Sequence, residues 1–422
     1  MQTPLFPLDR VDQHITTAMK RTTVFCLLVL TLSSVLACPA NVPGADALLK
    51  VPLIDGHNDL PWNLRLIEKN KLRNVDFNKD LTGDSKWNCT SCFTDIPRLR
   101  AGRVGAQFWA AYVSCDSQYK DAVEQTIEQI DVIKRLADAY PDDLQFVDSV
   151  QGIWDAFNAG KIGSLIGVEG GHSIDSRLGV LRSMYELGVR YMTLTHSCNT
   201  PWADSSPEDE KENPQFNGLT PYGELVVKEL NRLGMMVDLS HVSAPTMRAA
   251  IEISEAPVIF SHSSARAICG HHRNVPDDVL KLVAANNGVV MVNFYSGFIV
   301  CEDRDATLED VVAHINHIRN VAGVDHVGIG SDYDGVEEMP TGLEDVSKYP
   351  DLFNRLAEAR EGEPTWTQED LQKLAGLNLL RVFKEVENVR DKQAKEGIQP
   401  QEEWLPEEDI PEEQKACLTK AT

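Results

Sequence analysis

Between residues 51 and 385 the chain repeats one pattern, a short apolar run followed by a stretch of helical periodicity, eight times over. The runs are Leu53–Leu60, Val104–Val113, Ser164–Glu169, Val189–His196, Met235–His241, Val258–His262, Gly288–Phe294 and His326–Asp332. Continuous apolar runs predict strands buried on both faces, as in parallel sheets covered by helices. The segments between them supply those helices: Tyr119–Tyr140 carries Val123, Ile127, Ile130 and Ile133 at helical spacing, and Thr220-Pro221 reads as the cap and first position of a helix to Leu233. Further helices are expected over Leu178–Leu187 and Ser243–Ser254, from Pro276, from Thr307 to Val321 and from Thr367 through Phe383. Eight such units predict an α/β fold, a closed (β/α)8 TIM-like barrel; an open doubly wound sheet is the other arrangement that periodicity allows. Arg65–Asp95, with little periodicity and several turn formers, reads as a surface excursion.

The ends of the chain read differently. Lys20-Arg21 precedes an apolar run from Thr22 to Leu36, and Val35-Leu36-Ala37 ends it as a signal peptidase site would. The run falls short of the roughly 20 residues of a membrane span, so residues 1–37 are expected to be a cleaved signal region, with Met19 an alternative start. An uncleaved anchor and a lipidated Cys38 are lesser readings. Residues 38–50 form a lead, 51–385 the barrel domain and 386–422 an acidic extension, poorly packed around Gln399–Glu413. Beyond Cys26, the cysteines Cys38, Cys89, Cys92, Cys115, Cys198, Cys269, Cys301 and Cys417 lack paired zinc-finger spacing, so disulfides of an exported protein are expected. Cys89 and Cys92 either close a small loop or act as a redox pair, and Asn88-Cys89-Thr90 is a glycosylation sequon. With 64 acidic against 40 basic residues and no basic stripe, nucleic acid and anionic membrane surfaces are excluded as partners, leaving small molecules.

In a barrel of this kind the reactive groups sit where strands end at their C-terminal rim. The polar residues that end these runs are His57 and Asp59, then Glu169, His196, His241, His262 and Asp332. Imidazole and carboxylate together suit zinc or a similar divalent ion. Two such ions about 4 Å apart need a bridging carboxylate to offset their repulsion. Glu169, flanked by Gly170 and Gly171, is the candidate bridge; His57, Asp59 and Asp332 would complete one ion, His241 and His262 the other. A water or hydroxide between two cations becomes a nucleophile near neutral pH, chemistry suited to amide hydrolysis.

His57, Asp59, Glu169, His196 and His262 lie in the motifs LIDGHNDLPW, LIGVEGGHSID, LTHSCNTPWAD and VIFSHSSA, which with RNVPDDVL and GLEDVSKYPDL in this order resemble the membrane (renal-type) dipeptidase family from Leu53 to Phe383. The resemblance implies a binuclear barrel with two Zn2+ per subunit that hydrolyses dipeptides, including cysteinyl-glycine and leukotriene D type conjugates. It implies His57, Asp59, Glu169, His241 and His262 as zinc ligands and Asp332 as the catalytic acid/base. His196 is implied to bind and polarise the substrate, and Arg273 to hold its carboxylate. It further implies the disulfides Cys115–Cys198 and Cys269–Cys301, an interchain bond near Cys417 in a homodimer, and a glycosylphosphatidylinositol anchor. The last residues, Ala416–Thr422, lack the hydrophobic tail such an anchor needs, so either secretion without an anchor or an incomplete end is expected. The alternatives are another barrel metallohydrolase, which normally opens with HxH where this chain has HxD, and a non-catalytic binding relative.

Overall fold

The computed structural model describes residues 43–415; the signal region, Cys38 and Cys417 lie outside them. Among the described residues nine strands run in parallel: β1 (Leu53–Asn58), β2 (Val104–Tyr112), β3 (Leu144–Phe146), β4 (Ile162–Glu169), β5 (Val189–Thr193), β6 (Met236–Asp238), β7 (Ile259–Phe260), β8 (Val289–Val292) and β9 (Val327–Ile329). All but β3 close a barrel, because β1 pairs with both β2 and β9 while β2 also pairs with β4. The closed (β/α)8 barrel is thus the architecture, and the open sheet is not. The short β3 is an addition that the runs did not disclose. It pairs with Ile162–Ser164 at the start of β4, leaving Ile166–Glu169 of the same strand to β5.

Strand alternation divides the core in two. Ile54, Phe108, Leu165, Tyr191, Met236, Ile259 and Met291 face inward as one cluster, while their neighbours Leu53, Trp109, Ile166, Met192, Val237, Phe260 and Val292 pack outward under the helices. The inner cluster is sealed by Leu379, Leu380, Phe383 and Val386 of the long helix that follows the barrel. That helix therefore runs over Asn378–Glu396, past the boundary expected at 385. A π-helical turn, Lys373–Leu377, joins it to the short helix Gln368–Gln372, and there a Cβ on Gly376 would lie 2.3 Å from the Pro52 carbonyl oxygen just before β1. The Arg65–Asp95 excursion is more than surface: a helix over Leu60–Glu68 leads into it, and Phe77 and Trp87 are buried within it. Cys89 and Cys92 are bonded, which favours the closed small loop, and Cys115–Cys198 and Cys269–Cys301 are paired as the resemblance implied. Asn88 is exposed, and among the described residues no helix is long and apolar enough to cross a membrane.

Glycines set how closely the rim converges. A Cβ on Gly56 would fall 2.5 Å, and one on Gly330 1.8 Å, from the Ser261 carbonyl oxygen. Both positions must stay bare for the segment after β7 to approach β1 and β9. The approach stacks His57 on His262, with ring centroids 3.8 Å apart. Gly330→Ala is expected to lose about 1–3 kcal/mol in urea unfolding, whereas Gly179→Ala, whose nearest neighbour would be Arg182 Nη2 at 3.9 Å, is expected to be neutral or better. Equal midpoints for the two variants would mean that this layer has slack.

Candidate metal centre

Several strands end within a few ångströms of one carboxylate. Glu169 is the last residue of β4, and Gly170, at φ 103°, turns the chain away immediately after it. Around Glu169 Oε1 stand His241 Nε2 at 2.9 Å, His262 Nε2 at 3.4 Å, His57 Nε2 at 3.5 Å and His196 Nε2 at 3.9 Å. His57 Nε2 also lies 3.0 Å from Asp59 Oδ2 and 4.0 Å from Asp332 Oδ1. All seven residues expected at the rim are therefore together. Most ride just beyond their strands rather than on them, and His241 and Asp332 adopt left-handed backbone, φ 67° and 68°, at roughly 1–2 kcal/mol each. Asp59 is the cap residue of the helix Leu60–Glu68 and meets His57 because the chain turns there, not by strand alternation.

Hydrogen bonds fix which ring nitrogens are bare. Tyr191 Oη donates to the Gly56 carbonyl (3.1 Å) and so must accept from His57 Nδ1 (3.0 Å). Ser261 Oγ donates to Asp238 Oδ2 (2.6 Å) and accepts from His262 Nδ1 (2.8 Å). With Nδ1 donating, Nε2 of both histidines is the atom that faces Glu169 and can take up either a proton or a cation, and His57 Nε2 has no hydrogen-bond partner among the described residues. Burial disfavours positive charge on His57, yet Tyr191, Glu169 and Asp59 outweigh it and hold the imidazole pKa well above its usual value. Burial, then neighbouring cations, pushes His241 and His262 well below theirs. Burial would raise Glu169, but His57 and His241 bring it well below the normal carboxylate range. Ionised oxygens packed against imidazole nitrogens in a buried site call for a positive charge, which a metal cation can supply in place of a proton.

Three triads have ligand atoms within 4.8 Å of one another: His57–Glu169–His262, Glu169–His196–His241 and His57–Asp59–Asp332. Glu169 is shared between two of them, as a bridging carboxylate requires. His262 neighbours His57 as well as His241, a closer interlock than two separate ligand sets. Asp332 is raised to about 7 by burial and by the charges of Asp59 and Glu169. Asn293 Nδ2 donates to its Oδ2 at 2.7 Å, leaving Oδ1 toward the cluster as the atom free to carry a proton.

Beside the cluster is a cleft of about 310 Å³ walled by Trp62, Tyr112, His196, Arg273, Tyr295 and Phe298. Arg273 is 4% exposed, and none of its guanidinium nitrogens has a hydrogen-bond partner among the described residues. It stands over the Phe298 ring at 5.1 Å, with burial lowering its pKa against the pull of Asp332 and Glu169. A buried cation of this kind is a receptor for an anion. Burial lowers His196 to about 4, so its ring is neutral at physiological pH.

Several supporting residues escaped sequence reasoning. Asp238 accepts from Ser240 N, Ser261 N, Ser261 Oγ and Thr193 Oγ1, and Asp55 accepts from His57 N, Ser331 N, Ser331 Oγ and Tyr349 Oη. The signal was present as an Asp two or three residues before a ligand histidine, Asp55-Gly-His57 and Asp238-Leu-Ser-His241. His271 is half-buried; its Nδ1 accepts Arg273 N–H at 3.1 Å and its ring lies 4.5 Å from Phe298.

Residues 45–397 match the family described as membrane dipeptidase (peptidase family M19). Dipeptidase 3 of Mus musculus is 47% identical over 357 residues, covering 84% of this chain and 68% of that protein. Dipeptidase 3 of Rattus norvegicus is 48% identical, covering 84% and 69%. Among solved structures, a metallopeptidase from Rhodobacter sphaeroides, liganded with a phosphinate mimic of the dipeptide L-Ala-D-Ala, superposes with a TM-score of 0.69 at 24% identity, over 80% of this chain and 99% of its own. The last supports the fold.

The Asp238–Ser261–His262 chain orients the imidazole of His262, a candidate ligand, through the nitrogen that does not face the cluster. Ser261→Ala is expected to weaken retained metal by about 10–100-fold in competition with a chromophoric chelator. Unchanged affinity would remove this relay from the account.

Proposed function

The chain belongs to the membrane dipeptidase family, peptidase family M19, and from that premise we propose how its rim cleaves a dipeptide. It is a dipeptidase-type metallohydrolase. The observation that carries the finer reading is the partnerless guanidinium of Arg273 in the same cleft as Glu169. In this reading His57, Asp59, Glu169, His241 and His262 would hold two Zn2+. A pair of divalent cations there lowers the pKa of water and polarises a carbonyl.

The protein's own groups do the rest. Arg273 takes the substrate's terminal carboxylate in a two-pronged hydrogen bond, which fixes the length of peptide that fits. His196, neutral and projecting Nε2 toward Glu169, donates to the carbonyl oxygen as negative charge develops on it. Asp332 Oδ1 accepts a proton from the attacking water and returns it to the leaving amine, with Asn293 holding the other oxygen. A carboxyl group poised near 7 suits both halves of that transfer. The aromatic walls, Trp62, Tyr112, Tyr295 and Phe298, favour apolar or thioether side chains, consistent with cysteinyl-glycine and leukotriene D type conjugates. Three disulfides support an oxidising, exported setting. A homodimer linked through Cys417, with Asn88 glycosylated, completes the proposal.

The test is a panel of dipeptides, their C-terminal amides and the matching tripeptides, assayed with and without chelator, alongside metal analysis per chain. Free dipeptides are expected to be cleaved, with kcat/KM at least about 100-fold above that of the amides, and chelation is expected to abolish turnover. Comparable cleavage of amides would remove Arg273 from carboxylate recognition. Asp332→Asn is expected to retain two metals and lose about 100-fold or more in kcat; near-normal kcat would assign the proton transfer elsewhere.

A further inference from the structure

A second set of metal-binding atoms lies outside the rim cluster, in the loops after β2, β4 and β5. Cys115, Cys198 and a ring nitrogen of His172 have ligand atoms within 4.8 Å of one another. The two sulfurs are bonded in this structure, so they hold no ion. His172 is the unexplained member. It is 2% exposed, and its Nε2 lies 3.0 Å from the Val113 carbonyl, which only accepts, so the ring proton is on Nε2. Nδ1 is therefore a lone pair, and it has no hydrogen-bond partner among the described residues. A buried imidazole normally satisfies both nitrogens. The catalytic reading gives His172 no task.

We propose that Cys115, Cys198 and His172 form a latent thiolate–imidazole site for a soft divalent cation, opened when the Cys115–Cys198 bond is reduced. Both cysteines are half-buried rather than enclosed, within reach of a small reductant. A thiol reductant supplies two electrons, the S–S bond breaks, the two sulfurs take up two protons, and two reductant thiols become a disulfide. Binding a cation then releases both protons to solvent, leaving two thiolates and one neutral imidazole, a donor set that suits Zn2+ or Cd2+. Cys115 Sγ lies 3.9 Å from His196 Nδ1, while the opposite nitrogen of that ring faces Glu169 at 3.9 Å. An ion at Cys115 thus has His196 as its nearest further donor. Recruiting that ring turns it away from the cleft, so the latent site, when filled, opposes substrate binding.

The test uses the fully metallated enzyme, oxidised and after reduction by a water-soluble phosphine, which becomes the phosphine oxide with oxygen from water. Each form is titrated with Cd2+ and followed by near-ultraviolet sulfur-to-cadmium charge transfer, to which the nitrogen and oxygen ligands of the rim are silent. The reduced protein is expected to take up an additional equivalent with this absorption, the oxidised protein none, and KM for a dipeptide is expected to rise severalfold as the site fills. His172→Gln leaves every sulfur in place and is expected to weaken the additional equivalent by at least about tenfold. Charge transfer undiminished in His172→Gln would assign it to other cysteines and overturn the proposal. So would its absence from reduced wild type, or a loss of the native circular dichroism on reduction alone.

Discussion

One carboxylate oxygen, Glu169 Oε1, has four imidazole nitrogens within 3.9 Å, and the barrel rim is shaped around it. Packing a buried carboxylate against bare imidazole nitrogens gains nothing from the hydrophobic effect and costs desolvation. Such a cluster holds together because rigid strands bring it there and because a cation repays the desolvation of its ligands. The scaffold is visible in detail. Bare glycines at 56 and 330 admit the Ser261 backbone to the barrel interior, and the buried Asp55 and Asp238 each collect donors from more than one strand end. The rim is tied together beneath the ligands, so their positions do not depend on the ion alone.

Legibility of the sequence followed the physics of burial. A parallel strand covered on both faces is largely apolar until it reaches the rim, so the ionisable residue that closes each run marked the site: His57, Glu169, His196, His241, His262 and Asp332 all stood out in this way. Arg273 did not, because it sits on a loop where an Arg is commonplace; only the resemblance of RNVPDDVL to the dipeptidase motifs singled it out. Tyr191 and Ser261 were hidden for the opposite reason. They lie inside or beside apolar runs, and their importance comes from a hydrogen bond to a histidine elsewhere in the chain. The short β3 was too brief to register as a run, and the helix end at Glu396 was concealed because Val386 and Val389 alternate with charged residues.

The two longer-range disulfides bear on this same rim. Cys115–Cys198 ties the loop after β2 to the one carrying His196, and Cys269–Cys301 ties the loop carrying Arg273 to the one carrying Phe298. His314 reinforces the second clamp, accepting from Ala265 N at 3.0 Å and donating to Ile299 O at 2.9 Å. Arg273 and Phe298, assigned to the substrate, lie on loops, whereas most groups assigned to metal lie at or just beyond strand ends. Covalent cross-links are concentrated on the former, where strand pairing cannot supply rigidity.

The sealing of the barrel interior by Leu379, Leu380, Phe383 and Val386 has a kinetic meaning. Ile54 opens the inner cluster and Val386 lies near its end, so the cluster joins residues separated by most of the domain. Contacts of such long sequence separation form late and slowly. During synthesis, every strand of the barrel emerges before the segment that plugs it, leaving an inner face rich in Phe, Met and Ile exposed to solvent for that interval. Early cross-linking of Cys89 to Cys92, and of Cys115 to Cys198, needs none of that final segment. Oxidation of the chain can therefore hold the first half of the barrel in register while the second half is still being made.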